Sequence, residues 1–230
     1  MHDYYQELDF ISKKITEEYE IDNLIAIQRF YDDNDYWSRL ARLSFFHKLF
    51  DGYRYHFLYE IQGLSSQIHF GIVNCLLFKD KISTVLGKPN VYNHRYTFMI
   101  ESTIHCIYSY WNRVALVINT YLKKPKDIKQ VYFDNVIRQL TIDYPMLQED
   151  NLYMWIYHVS EALKELGRNE FAHNNSLIMQ NFLPRNQNEL NFEKLLFMPT
   201  LLLDHNKYIV NDIYNLVELL ERLEKIKAGK

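Results

Sequence analysis

Apolar residues along this chain recur at intervals of three and four, the period of one face of an α-helix, and long runs of that pattern are separated by only a few breaks. From Phe57 the stripe runs through Ile61, Leu64, Ile68, Ile72, Cys75 and Leu76, and it stops before Gly87-Lys88-Pro89-Asn90, where glycine and proline mark a loop. A second stripe joins Ile100, Ile104, Ile107, Tyr108, Trp111, Val114, Ala115, Ile118 and Leu122. It halts at Lys123-Lys124-Pro125, with cations where a helix dipole favours them and proline just beyond. A shorter helix is expected over Val131 to Leu140, ended by Tyr144-Pro145. Leu152, Trp155, Ile156, Val159, Ala162, Leu163 and Leu166 then form a third long stripe, with Gly167 in the position of a C-cap. The polar runs NNS, after His173, and PRNQNELN predict a long excursion before a last helix carried by Ile209, Ile213, Leu216, Val217, Leu220 and Leu223. Weaker patterns pass through Leu8, Ile11 and Ile15 and through Leu40, Leu43 and Phe50.

The expected fold class is therefore all-α: an up-and-down bundle of about four long helices over residues 51–230, with residues 1–50 as a helical extension packed on it. Composition agrees. Six glycines and five prolines leave little room for a turn-rich β architecture, and 19 Tyr, 14 Phe and 3 Trp can fill a large interior.

Charge and cysteine content narrow the function classes. A net charge of −3 is not the footprint of a protein that grips duplex DNA by its phosphates, so a nucleic-acid partner would bind locally. Cys75 and Cys106 have neither metal-site spacing nor the look of a secreted disulfide framework, and a reducing cytoplasm fits them. MHDYYQELDF lacks a basic start followed by an apolar core, and IHFGIVNCLLF is too short and polar to cross a bilayer, so a soluble protein with no membrane partner is expected. His56, His69, His94 and His105 form no metal-ligand grouping and read as satisfied core histidines; no metal or other cofactor is expected. Asp32 to Asp35, DDND, lacks the glycine and distal glutamate of a calcium loop and reads as a solvated turn with a helix N-cap. Lys123, Lys124, Lys126 and Lys129 read as a solvated helix end rather than an RNA track.

One segment carries chemistry. RNEFAH places Arg168, Asn169 and His173 within six residues. A histidine that titrates near neutrality can take the proton of a ribose 2′-OH, and a guanidinium can hold the phosphate and the charge that develops on it. Asn169 is four residues before His173 and shares its helical face. Arg168 and His173 point about 140° apart on an ideal helix, so a single straight helix converges them poorly. Either the helix begins or distorts after Gly167, or a second copy of the motif across a two-fold axis completes the site; the second is favoured. Glu101 stands near the apolar stripe, either positioning the arginine or lying exposed in a first turn.

The bare spacing is weak: ten arginines and nine histidines produce it about 0.4 times by chance, and Arg42 and His47 in RLSFFH repeat it. Requiring Asn after the arginine lowers the expectation to about 0.03. With that asparagine and Ala172, LKELGRNEFAH resembles the signature of HEPN domains, in which an arginine and a following polar residue precede a histidine by a few positions. The helix carrying WNRVALVIN also resembles the bundle helices of that superfamily. The resemblance spans about Phe57 to the C-terminus and implies a dimeric helical bundle with both motifs in one cleft. It also implies a metal-independent endoribonuclease of toxin or defence type that leaves a 2′,3′-cyclic phosphate, with RNA as substrate, an antitoxin protein as partner, and Arg168, Asn169 and His173 as the catalytic set. The alternative it leaves open is a catalytically silent module that binds nucleotide, RNA or a protein.

Overall fold

A computed structural model describes residues 2–21, 35–44, 56–85, 88–168, 176–182 and 189–229. Among these residues the chain is an all-α bundle without strands. Its helices are α1 (His2–Glu18), α2 (Tyr36–Ala41), α3 (His56–Lys79), α4 (Val91–Asn119), α5 (Phe133–Asp143), α6 (Asn151–Glu165), α7 (Leu177–Phe182), α8 (Glu189–Val210) and α9 (Ile213–Lys227). No helix among the described residues is long and apolar enough to cross a membrane.

Helix α4 is the axis of the bundle. The stripe from Ile100 to Ile118 is buried as its spacing predicts, except Tyr108, which is partly buried, and Tyr96, Thr103, Tyr110 and Val117, three or four residues from its members, widen the buried face. A helix buried over so wide an arc has several neighbours, and α4 packs against α3, α5, α7 and α8. Its start is fixed by a reciprocal capping box. The Asn90 side chain accepts from the backbone N–H groups of Tyr92 and Asn93, and the Asn93 side chain accepts from that of Asn90. Fully buried Asn93 also exchanges two 3.0 Å hydrogen bonds with the backbone of Ser83, tying the α3–α4 connection to the helix start.

The end of α4 comes earlier than the lysine run suggests, at Asn119 with Thr120 as C-cap. Residues 120–122 remain buried below it, and Lys227 of α9 donates to the carbonyl oxygen of Thr120, a cation set against a helix C-terminus. The basic run lies beyond this point with Lys123, Lys124 and Lys129 exposed.

Two corrections to the pattern concern the C-terminal half. The excursion expected between Asn174 and the last helix contains α7 and the 22-residue α8, and Ile209 belongs to α8, which a turn at Asn211–Asp212 separates from α9. Pro199 lies inside α8, where a proline ordinarily breaks a helix. Pro199 has no N–H to offer the carbonyl of Leu195 four residues earlier. The Tyr96 hydroxyl of α4 supplies the missing donor to that oxygen at 2.9 Å. A buried orphan carbonyl is thus satisfied by tertiary structure.

The N-terminal helices pack on the bundle at two places. On α3, the Tyr4 hydroxyl donates to Asn74 Oδ1 and Ser12 Oγ lies 2.9 Å from His69 Nε2. On α9, Arg39 forms a two-pronged ion pair with Glu221 at 2.9 and 2.7 Å. Asp35 caps α2 by accepting from Ser38 N–H at 2.6 Å, as an N-cap reading of DDND expects, but it is buried rather than solvated. The pattern through Phe50 lies partly outside the described residues.

Candidate active site at the end of helix α6

Helix α6 begins at Asp150, whose side chain accepts from Leu152 and Tyr153 N–H. It ends at Gly167, which adopts the left-handed conformation (φ 63°) and donates to the Lys164 carbonyl at 3.1 Å. A side chain other than glycine is strained there, so the sequence stops α6 at this point and redirects the chain. Arg168 follows at once, back in helical conformation. This break precedes both Arg168 and His173, and the relative placement of the two lies outside the described residues. Asn169 and His173 lie outside the described residues, as does His47; Arg42, the other half of the repeated spacing, is the C-cap of α2.

The seat of Arg168 is a tyrosine. Its Cζ lies 5.1 Å from the centroid of the Tyr108 ring on α4, and the half-buried guanidinium has its Nε shielded from water without a hydrogen-bond partner. Among the described residues Arg168 has no carboxylate partner. Tyr108 is itself held, its hydroxyl donating at 2.8 Å to the Leu163 carbonyl in the last turn of α6, where such oxygens lack partners within the helix. Burial pushes the Tyr108 phenol up, and the neighbouring Arg168 charge opposes that shift. The phenol stays protonated and the cation sits on the ring face, a favourable electrostatic pairing.

Glu101 anchors the other side. It neither contacts Arg168 nor stands in a first turn, since α4 begins at Val91; its carboxylate accepts from the Leu177 N–H at the start of α7 at 2.6 Å. Glu101 and Tyr108 are seven residues apart on one face of α4, so the two anchors stand about 10.5 Å apart along the axis. Both ends of the segment holding Asn169 and His173 are thereby fixed to one face of one helix. His105 lies between the anchors on that face and is exposed, as is His94; neither is the core histidine that the sequence suggested. His69 comes nearer, partly buried with burial pushing its imidazole down and Nε2 beside Ser12 Oγ, but its Nδ1 has no hydrogen-bond partner.

Beside Gly167 opens a cavity of about 430 Å³ between the end of α6, helix α7 and helix α8. A smaller one of about 190 Å³ adjoins it, sharing Glu165 and Leu201, and is lined by His158, His205 and Tyr208. His158 Nε2 is 3.0 Å from the Tyr208 hydroxyl, and burial, aided by the charge of His158, pushes the His205 imidazole down to about 4. Among the described residues no cluster of three or more His, Cys, Asp or Glu is placed to hold a metal ion. Cys75 and Cys106 are both free thiols.

No family model, no curated protein and no solved structure matches the chain.

Sequence reasoning missed Tyr108 as the support of Arg168 and Glu101 as the cap of α7. Their seven-residue spacing was visible, but nothing in the sequence says that Arg168 and Leu177, far along the chain, meet that face of α4.

Proposed function

We propose that the chain is a HEPN-type endoribonuclease that works without a metal, as an inward-facing pair of motifs in a homodimer. The observation that supports this best is Arg168: a cation seated on the Tyr108 ring, beside a helix end and a cavity, with no carboxylate to neutralise it among the described residues. A structural arginine at a helix end would be expected to meet an acid. One kept apart from acids retains its charge for an anion, and a planar fork suits phosphate.

In this reading Arg168 binds the scissile phosphate and stabilises the charge that builds on its oxygens. His173 takes the proton of the adjacent 2′-OH as the O2′–P bond forms. The P–O5′ bond breaks, and the departing 5′-oxygen takes a proton from the imidazolium of the second copy. The products are a 2′,3′-cyclic phosphate and a 5′-hydroxyl. Asn169, one helical turn before His173, orients the imidazole or the phosphate. An RNase of this kind in a cell needs restraint, and a cytoplasmic antitoxin protein is the proposed partner.

The mechanism is tested by its dependence on the 2′-OH. Oligoribonucleotides should be cut to cyclic-phosphate ends, whereas a strand carrying 2′-O-methyl groups throughout should survive. Cleavage of the methylated strand would refute the mechanism. Retained binding of the unmodified strand with no cleavage would make the chain a silent RNA-binding module.

A further inference from the structure

The chain leaves α4 through a basic loop, Lys123-Lys124-Pro125-Lys126-Asp127-Ile128-Lys129, with four cations against one acid in a chain whose net charge is −3. Among the described residues none of these lysines pairs with a carboxylate, whereas Lys13, Lys14, Lys81 and Lys164 each do. Lys123, Lys124 and Lys129 are exposed, and the Lys123 ammonium lies 5.6 Å from the centroid of the Tyr144 ring. The one acid, Asp127, accepts from the Lys129 N–H at 2.9 Å. The loop is held in place. Asn119 at the end of α4 exchanges hydrogen bonds of 2.9 and 3.0 Å with the Lys126 backbone, and the Lys123 N–H donates to Asp143 Oδ2 at 2.8 Å. That last bond ties the basic loop to the end of α5, where the Tyr144 hydroxyl donates to the Tyr121 carbonyl at 2.6 Å.

The same two connections carry apolar side chains that stand out from the surface. Ile128 is 67% exposed, Ile142 69% and Met146 68%, and among the described residues only Phe10 is a large apolar side chain as exposed as these. Single exposed apolar residues are ordinary; three on connections bonded to one another, beside unpaired cations, mark an interaction surface.

We propose that this end of the bundle docks on an anionic lipid bilayer, with the lysines meeting headgroup phosphates and carboxylates and with Ile142, Met146 and Ile128 entering the boundary between headgroups and acyl chains. Attachment of this kind lies on the membrane and needs no spanning helix. The apolar tips decide between lipid and the other polyanion that lysines attract. Single-stranded RNA is gripped by cations together with aromatic rings on which its bases stack, and an aliphatic tip gives a base nothing to stack on. Entering a bilayer, the same tips leave water and gain the hydrophobic stabilisation that they lack in the free protein. The loop meets the surface already ordered by its hydrogen bonds, which lowers the entropy cost of binding. None of this rests on the ribonuclease reading.

The test is cosedimentation of the full chain with phosphatidylcholine vesicles made with or without phosphatidylserine. The chain should bind the anionic vesicles, stay in solution with the neutral ones, and be released as salt rises. Lys123→Gln together with Lys124→Gln should weaken binding about 25-fold, about fivefold for each charge, while Lys13→Gln, at a paired lysine elsewhere, should leave it unchanged. Ile142→Ser and Met146→Ser, at exposed positions that the fold does not use, should each weaken it about fivefold. Absence of binding to anionic vesicles overturns the proposal. Full-strength binding by both apolar variants does so as well, because it reduces the contact to adhesion by charge. Single-stranded RNA held through Lys123 and Lys124, with the vesicles left untouched, would assign the loop to nucleic acid and overturn it too.

Discussion

A close contact between α3 and α4 makes two glycine substitutions in α3 opposite in sign. A Cβ placed on Gly71 of α3 would lie 2.0 Å from Oγ1, 3.1 Å from Cβ and 3.3 Å from Cγ2 of Thr103 on α4, whereas one on Gly63 meets nothing within 4 Å. Thr103 cannot turn away cheaply. Its χ1 is stiff, its hydroxyl donates to the Met99 carbonyl at 2.6 Å, and its own Cβ stays where the backbone puts it. Gly71→Ala must therefore push apart the most extensively packed pair of helices among the described residues. Alanine in a helix interior gains about 1 kcal/mol over glycine, and overpacking of this severity costs about 3 kcal/mol, so the net loss is about 2 kcal/mol. For a chain of this size that lowers Tm by about 4–8 °C. Gly63→Ala takes the helix propensity alone and should raise Tm by about 1–4 °C. Thr103→Ala removes Oγ1, by far the nearest atom, and Cγ2, leaving only Cβ at 3.1 Å, so Gly71→Ala on that background should cost less than about 1 kcal/mol, a coupling of at least about 1 kcal/mol. Thermal and urea unfolding of the four single and double variants measures all of this. A Gly71→Ala protein as stable as Gly63→Ala, or strict additivity with Thr103→Ala, would refute the packing argument.

Other substitutions test separate links. Tyr96→Phe strands the Leu195 carbonyl that Pro199 cannot serve, at about 1–3 kcal/mol in urea unfolding; restoring the helix donor with Pro199→Ala should remove most of that cost, and an undiminished cost would show that Tyr96 acts in some other way. The buried His205 imidazole, held down to about 4 against an unfolded value near 6.5, binds its proton better unfolded than folded. Stability from it is therefore full above about pH 6.5 and is lost as pH falls towards 4, by about 2 kcal/mol between pH 7 and pH 5. A His205→Gln protein should lack that component, and an unchanged slope of stability against pH would assign it elsewhere. At the candidate site Tyr108→Leu should slow RNA cleavage about tenfold by removing the ring under Arg168, while Tyr108→Phe keeps the ring and should stay within about threefold of wild type. Equal losses in both would mean that the hydroxyl bond to Leu163, rather than the ring, positions the arginine.

How far the sequence foretold this molecule depends on how local each cause is. The stripes of α3, α4, α6 and α9 and the stop at Gly167 were legible because periodicity and a left-handed C-cap act within a few residues. Helix α8 was not, because Pro199 is tolerated only through a hydroxyl that α4 brings from a hundred positions away. Arg168 could be singled out by its neighbours Asn169 and Ala172, but the ring beneath it could not, since Tyr108 is placed by the packing of α4 against the end of α6.

The central claim is that RNEFAH cuts RNA without a metal, and it is tested most directly by a cleavage time course in excess EDTA. Wild-type protein and Arg42→Ala should degrade a single-stranded RNA at equal rates. Arg168→Ala and His173→Ala, folded by circular dichroism, should each lose at least about a hundredfold, the scale of a removed acid–base group or charge stabiliser. Loss of wild-type cleavage on chelation, or an Arg168→Ala protein that cuts as fast as Arg42→Ala, would contradict the account.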